Sequence, residues 1–266
     1  MNEIDFRHTD ILFTDVDDTL TTNGQLLPET YLALCRLAAA GVRVIPVTGG
    51  CAGWCDQIIR TWPVRAVIGE GGGFCIERIE PQITQWRYWQ DAETHRADQA
   101  RILAAVDRLQ VGFRPALATD QPFRLVDVAV DYNQQQRLSD AQVATLQQAL
   151  SEQGFNVRRS SIHLNVWLGD FDKRAMALRV GEQLLGLQPE ELKERAVFVG
   201  DAPNDESMFS FFPNSVGVAN IRRHLDAMMH QPTVITRQRC GLGFAELAAA
   251  WLSRLPTADT QPAGAV

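Results

Sequence analysis

The sequence predicts an α/β protein: an open parallel sheet with helices on both faces, interrupted by a smaller α+β insert. Three observations lead there. Short β-rich runs alternate with helix-length segments through the first third of the chain. The same rhythm returns in the last third, as though both ends of the chain complete one sheet. Between them the pattern switches to strands that alternate polar and apolar residues, as half-buried strands do. The expected division is a core of residues 1–82 and 170–256, an insert at 83–169, and a tail at 257–266. The tail's Pro, Gly and small residues have nothing to bury and read as flexible.

Each element has its own signal. The first strand is ILFTD (11–15). PETYLALCRLAAAG (28–41) is a helix with Pro28 in its first turn, where proline is tolerated, and Gly41 as its stop. VRVIPVT (42–48) is the second strand, WCDQIIRTW (54–62) a helix and VRAVIG (64–69) a third strand. These βαβ units imply a Rossmann-like parallel core. In the insert, ITQWRYW (83–89) alternates as a strand, a helix covers 93–110, and FRLVDVAVDY (123–132) alternates again. SDAQVATLQQALSEQG (139–154) is a helix with Ser139 and Gln142 in capping-box spacing and Gly154 at its end. FNVRRS (155–160) and IHLNVWL (162–168) are two more strands. The core then resumes with helix 173–186, strand 196–200, helix 205–212, strands 215–219 and 233–236, and helix 244–255.

Composition narrows the class. At 266 residues, 45% hydrophobic and 21% charged, the chain is long enough for one large domain or two of ordinary size, and is of soluble globular type. The acidic, polar MNEIDFRHTD is neither signal peptide nor anchor, and no run approaches the ~20 apolar residues of a spanning helix. A cytoplasmic location is the default expectation, with no membrane partner. Five cysteines, odd in number and scattered through apolar segments, read as reduced thiols, with Cys51 and Cys55 as small buried hydrophobes. A net charge of −7 argues against a nucleic-acid surface, so small molecules are the expected partners.

The chemistry is concentrated at strand ends. In an open α/β sheet the reactive crevice lies beyond the carboxyl ends of the strands. Asp15 and Asp17 follow the first strand, Thr48 with Gly49 and Gly50 follows VIPV, and Asp201, Asn204 and Asp205 follow AVFV. Lys173 opens the first helix after the insert, and it is one of only two lysines in the chain, the other being Lys193. Several carboxylates gathered together repel unless a cation joins them, and such an oxygen-rich set suits Mg²⁺. Lys173, the Thr48 hydroxyl and the amides of the Gly49–Gly50 turn suit phosphate oxygens. Two carboxylates two residues apart can divide the labour: Asp15 attacks phosphorus, and Asp17 protonates the leaving oxygen and later activates water. The neighbouring Asp18 points the other way from a strand end and reads as structural.

These motifs, DVDDT (15–19), VTGG (47–50), FDKR (171–174) and GDAPND (200–205), stand in the order and spacing that resembles the haloacid dehalogenase-like (HAD) phosphatase superfamily. The insert between the Thr and Lys motifs resembles the large α+β cap of the subgroup that holds sucrose-phosphatase, Cof-type and phosphomannomutase-like proteins, HAD-IIB. The resemblance implies a Mg²⁺-dependent phosphoric monoester hydrolase acting through an aspartyl-phosphate. In it Asp15 is nucleophile and metal ligand, and Asp17 is general acid/base with its backbone carbonyl on the metal. Asp201 and Asp205 complete the metal site, and Thr48, Gly49, Lys173 and Asn204 hold the phosphate. The implied substrate is a small sugar or polyol phosphate.

The FDKR form also suggests a phosphomannomutase-like phosphomutase, and a non-enzymatic phospho-acceptor or degenerate phosphate-binding module is the third alternative. Glu70, Arg124, His163 and Asn165 are the candidate substrate contacts. Glu70 and Arg124 each have a plain structural alternative, a glycine-rich turn for Glu70 and a surface ion pair for Arg124, and His163 and Asn165 on the insert's last strand are similar cases. Trp86, Tyr88 and Trp89 read as core of the insert, with stacking on a sugar ring as the alternative.

Overall fold

The computed structural model of the chain describes residues 3–160 and 162–255. The expected tail at 257–266 lies outside the described residues. In chain order come β1 (Ile11–Thr14), β2 (Thr21–Thr22), β3 (Gln25–Leu26), α1 (Pro28–Ala39), β4 (Arg43–Pro46), α2 (Ala52–Thr61) and β5 (Ala66–Gly69). Next are β6 (Phe74–Glu80), β7 (Ile83–Tyr88), α3 (Ala92–Arg108), β8 (Ala116–Leu117), β9 (Val128–Asp131), α4 (Asp140–Ser151), β10 (Asn156–Arg159) and β11 (His163–Trp167). The chain closes with α5 (Lys173–Leu185), α6 (Pro189–Arg195), β12 (Ala196–Gly200), α7 (Glu206–Phe211), β13 (Ser215–Gly217), β14 (Val234–Ile235) and α8 (Cys240–Leu252).

The core is a parallel sheet in the order β14-β13-β12-β1-β4. A parallel bridge between Val47 and Ile68 sets β5 beside β4. All four residues of β1 are buried, as expected of a central strand covered on both faces. The two-residue period divides its side chains. Leu12 joins Val44, Val197 and Val199 under α1, α2 and α8, whereas Ile11 and Phe13 join Ile45 and Phe198 under α5, α6 and α7. Pro28 does stand in the first turn of α1.

The insert is a four-stranded antiparallel sheet, β10-β11-β9-β8, with α3 and α4 on one face. Val128, Val130, Leu164 and Val166 pack against those helices. Alternation then turns Ala129, Asp131, His163 and Asn165 to the opposite face. Asp91 caps α3 by accepting from the Glu93 and Thr94 amides, and Ser139 and Gln142 form the expected capping box on α4.

Two segments differ from expectation. The strand at 83–88 does not join the insert's sheet; it pairs antiparallel with β6, which in turn pairs with β5. Its aromatics therefore pack on the core, with Trp86 5.1 Å from the Phe74 ring and Tyr88 5.9 Å from Trp86. The second difference lies in FRLVDVAVDY, where only Val128–Asp131 is strand. The amides of Leu125, Val126 and Asp127 turn instead to the Glu70 carboxylate, which takes them out of any ladder.

Candidate active site

The loop after β1 is wound about one carbonyl. Val16 O accepts from the Thr19, Leu20 and Thr21 amides, and Asp18 sits at φ 58°, in the left-handed region. Asp18 offers its backbone carbonyl to Asn220 Nδ2 at 3.0 Å. Asp15 continues the ladder, its amide donating to Val199 O at 2.9 Å, so its side chain emerges at the sheet's carboxyl edge beside the end of β12.

There the acidic residues meet. Carboxylate oxygens of Asp15, Asp201 and Asp205 lie within 4.8 Å of one another, all three residues buried. Lys173 Nζ donates to Asp15 Oδ1 at 2.6 Å and to Asp205 Oδ1 at 2.7 Å. Asp205 Oδ2 accepts from the Asp201 and Ala202 amides. Asp201 is held by Thr19 Oγ1 at 3.3 Å and Asn220 Nδ2 at 2.7 Å. The close approach needs Gly200, because a Cβ there would stand 2.4 Å from Asp205 Oδ2.

One lysine against three carboxylates leaves the cluster two charges short of balance. Burial pushes the Asp15 carboxyl up to about 7, against the pull of Lys173, with Asp205 and Asp17 adding to the rise. Burial, Asp15 and Asp205 likewise carry Asp201 well above the usual carboxylate range. Burial opposes the charge of Lys173, but Asp15 and Asp205 hold its pKa above the ordinary value. Such a set of hard oxygens with unbalanced negative charge fits a divalent cation, with Asp15, Asp201 and Asp205 as its holders. The Asp17 side chain is outside this trio. It is exposed to the interior of the cleft, where the surrounding protein still raises its carboxyl by desolvation.

Thr48 sits beside the cluster at the end of β4. Its amide donates to Ile68 O, and its Oγ1 accepts from the Gly50 N–H at 2.9 Å. With that acceptor site used, the hydroxyl hydrogen is free for another oxygen. Asn204 Oδ1 is buried and has no hydrogen-bond partner. A cavity of about 400 Å³ joins these groups, and its wall includes Asp15, Asp17, Thr48, Gly49, Asp201 and Asn204. Arg124, His163 and Asn165 of the insert line the same cavity.

The four candidate substrate contacts have specific partners. Glu70 is a strut. Its oxygens accept from Ala52 N at 2.9 Å, Leu125 N at 3.0 and 3.2 Å, Val126 N at 2.6 Å and Asp127 N at 3.0 Å. It therefore ties the start of α2 to the insert, as its structural alternative in a glycine-rich turn would have it. Burial and Asp127 raise its pKa while Arg124 and the backbone donors lower it. Four N–H groups aimed at two oxygens are contacts of the ionised form.

Arg124 is also committed. It donates to both oxygens of Asp120 at 3.2 and 2.9 Å, to Asp127 Oδ1 at 2.7 Å and to Gly49 O at 3.0 Å. Asn165 Nδ2 donates to Asp127 Oδ2 at 2.7 Å and to Gly49 O at 3.3 Å. His163 Nε2 pairs with Gln134 at 3.1 Å. The sequence did not single out Asp120, Asp127, Asn220 or Trp54. Of these only Asp127 carried a signal, as a polar position within an alternating run.

No family model and no curated protein matches the chain in sequence. Solved structures do match in fold. A Thermoplasma acidophilum protein, 0175, is 15% identical with a TM-score of 0.70, covering 92% of this chain and 99% of its own. The sucrose-phosphatase of Synechocystis sp. PCC6803, solved with sucrose and phosphate, is 15% identical with a TM-score of 0.65 over 92% and 98%. The HAD subclass IIB sugar phosphatase BT4131 is 14% identical with a TM-score of 0.64 over 92% and 98%. The chain thus has the fold of HAD-like phosphatases of the large-cap subclass, with a Rossmann-like core and an α+β cap.

Proposed function

We propose that the protein is a Mg²⁺-dependent phosphatase of a small phosphorylated metabolite, a sugar or polyol monophosphate, working through an aspartyl-phosphate on Asp15. The observation that carries this reading is the convergence of Asp15, Lys173, Asp201 and Asp205 at the sheet edge, under a roofed cavity that also holds Thr48 and Asp17. Asp15, Asp201 and Asp205 would hold the cation, which when bound neutralises the carboxylates and the transferring phosphoryl oxygens.

Asp15 Oδ attacks phosphorus while Asp17 gives a proton to the departing oxygen; the same Asp17 then takes a proton from water as that water opens the acyl phosphate. Lys173 favours the ionised form of Asp15 and orients it, and Thr48 donates its hydroxyl hydrogen to a phosphate oxygen. The cap keeps bulk water from the site.

The test is phosphate release from a panel of phosphorylated sugars, polyols and glycerates, with and without Mg²⁺. Release is expected to need the metal and to vanish in Asp15→Asn. Near-normal turnover in that variant would overturn the assignment. Isomerised sugar phosphate instead of free phosphate would point to a mutase.

A further inference from the structure

We propose that the leaving group accepted by this cavity bears no negative charge, and that Asp120 enforces this by occupying the guanidinium of Arg124. The inference rests on the phosphatase reading and adds the charge class of the substrate.

Among the described residues lining the cavity, Arg124 is the one cation of the Lys/Arg type. An arginine there suggests a partner for a carboxylate or second phosphate. Its side chain, however, is 1% exposed and four of its five N–H groups are engaged, by Asp120, Asp127 and Gly49 O. Two carboxylates on one guanidinium leave the group with a net negative charge. His163 supplies no compensation, since burial and then Arg124 hold its pKa below the usual imidazole value. The remaining lining includes Trp54, Ile58 and Trp62 of the α2 region and Ile162 of the cap. A neutral body with an apolar face suits those surfaces, and an anion meets like charge with no free cation.

Matched pairs test this: glucose 6-phosphate against 6-phosphogluconate, and glycerol 3-phosphate against 3-phosphoglycerate. The uncharged member of each pair is expected to show at least about tenfold higher kcat/KM, the scale of one like-charge clash at ~1.4 kcal/mol. Asp120→Asn keeps an oxygen toward Arg124 and removes one charge. It is expected to narrow each gap several-fold, mainly through a lower KM for the anionic member. A structural role alone would harm both members alike.

Equal or reversed preference in the native protein, or no narrowing in Asp120→Asn, overturns the proposal. A smaller cavity of about 190 Å³ beyond Asn165 carries Arg158 and Arg174 in its wall. A preference for anions abolished by Arg158→Ala would place the leaving group there and likewise overturn it. Binding of the same pairs to Asp15→Asn, measured by calorimetry, reads the charge preference without turnover. A protein that releases no phosphate from any substrate therefore still tests this inference, although it would defeat the phosphatase reading.

Discussion

Replacing Glu70 by Gln isolates the strut between core and cap. The native carboxylate serves four backbone N–H groups with two oxygens. An amide has a single oxygen. Left on the Oε1 side, it still serves Ala52 and Leu125, but the new NH₂ then faces the amides of Val126 and Asp127, which stood 2.6 and 3.0 Å from Oε2. Each buried donor left without an acceptor costs about 1–3 kcal/mol, so the pair amounts to about 2–6 kcal/mol. Removing a buried charge beside Asp127 offsets part of that cost, which sets the expected loss at about 2–4 kcal/mol. Urea unfolding gives the free energy, and amide hydrogen exchange reports whether protection is lost at residues 125–127. A change below about 0.5 kcal/mol, the range of an ordinary surface substitution, with those amides still protected, would refute the strut.

Two more outcomes follow from the charge cluster. Lys173→Met removes the one ammonium among three buried carboxylates and is expected to cost about 3–5 kcal/mol at pH 8. The loss should shrink at pH 6, because Asp15, already pushed up to about 7, can then take a proton; equal losses at both pH values would contradict the pairing. Binding of Mg²⁺ must displace that proton, so affinity should rise with pH from 6 to 8, by up to about tenfold per unit for each proton displaced. Thermal shift with MgCl₂ titrated at each pH measures it, and a flat profile would exclude Asp15 as a holder of the ion.

The core and the groups at its strand edge were legible because their signals are local. An apolar run that ends in carboxylates, or a rare lysine at a helix start, announces itself within a few residues. What the sequence could not disclose depends on distant partners. Glu70 looks like any acid in a glycine-rich turn until the amides of 125–127, more than fifty positions away, come to rest on it. Arg124 is a different case: the ion-pair alternative was open, its partners Asp120 and Asp127 lie only four and three residues away, and what the sequence did not show is the turn that sets both on one guanidinium. The strand β6 follows three glycines and carries charge at Glu77 and Arg78, so its existence owes more to its neighbours β5 and β7 than to its own pattern.

The peptide between Gly49 and Gly50 links the two halves of the chain. Its oxygen is gripped by Arg124 and Asn165, and its N–H sets the Thr48 hydroxyl. A chimera given a foreign roof would inherit more than a new wall around its substrate: the aim of that hydroxyl, several bonds away in an untouched part of the chain, would be reset as well.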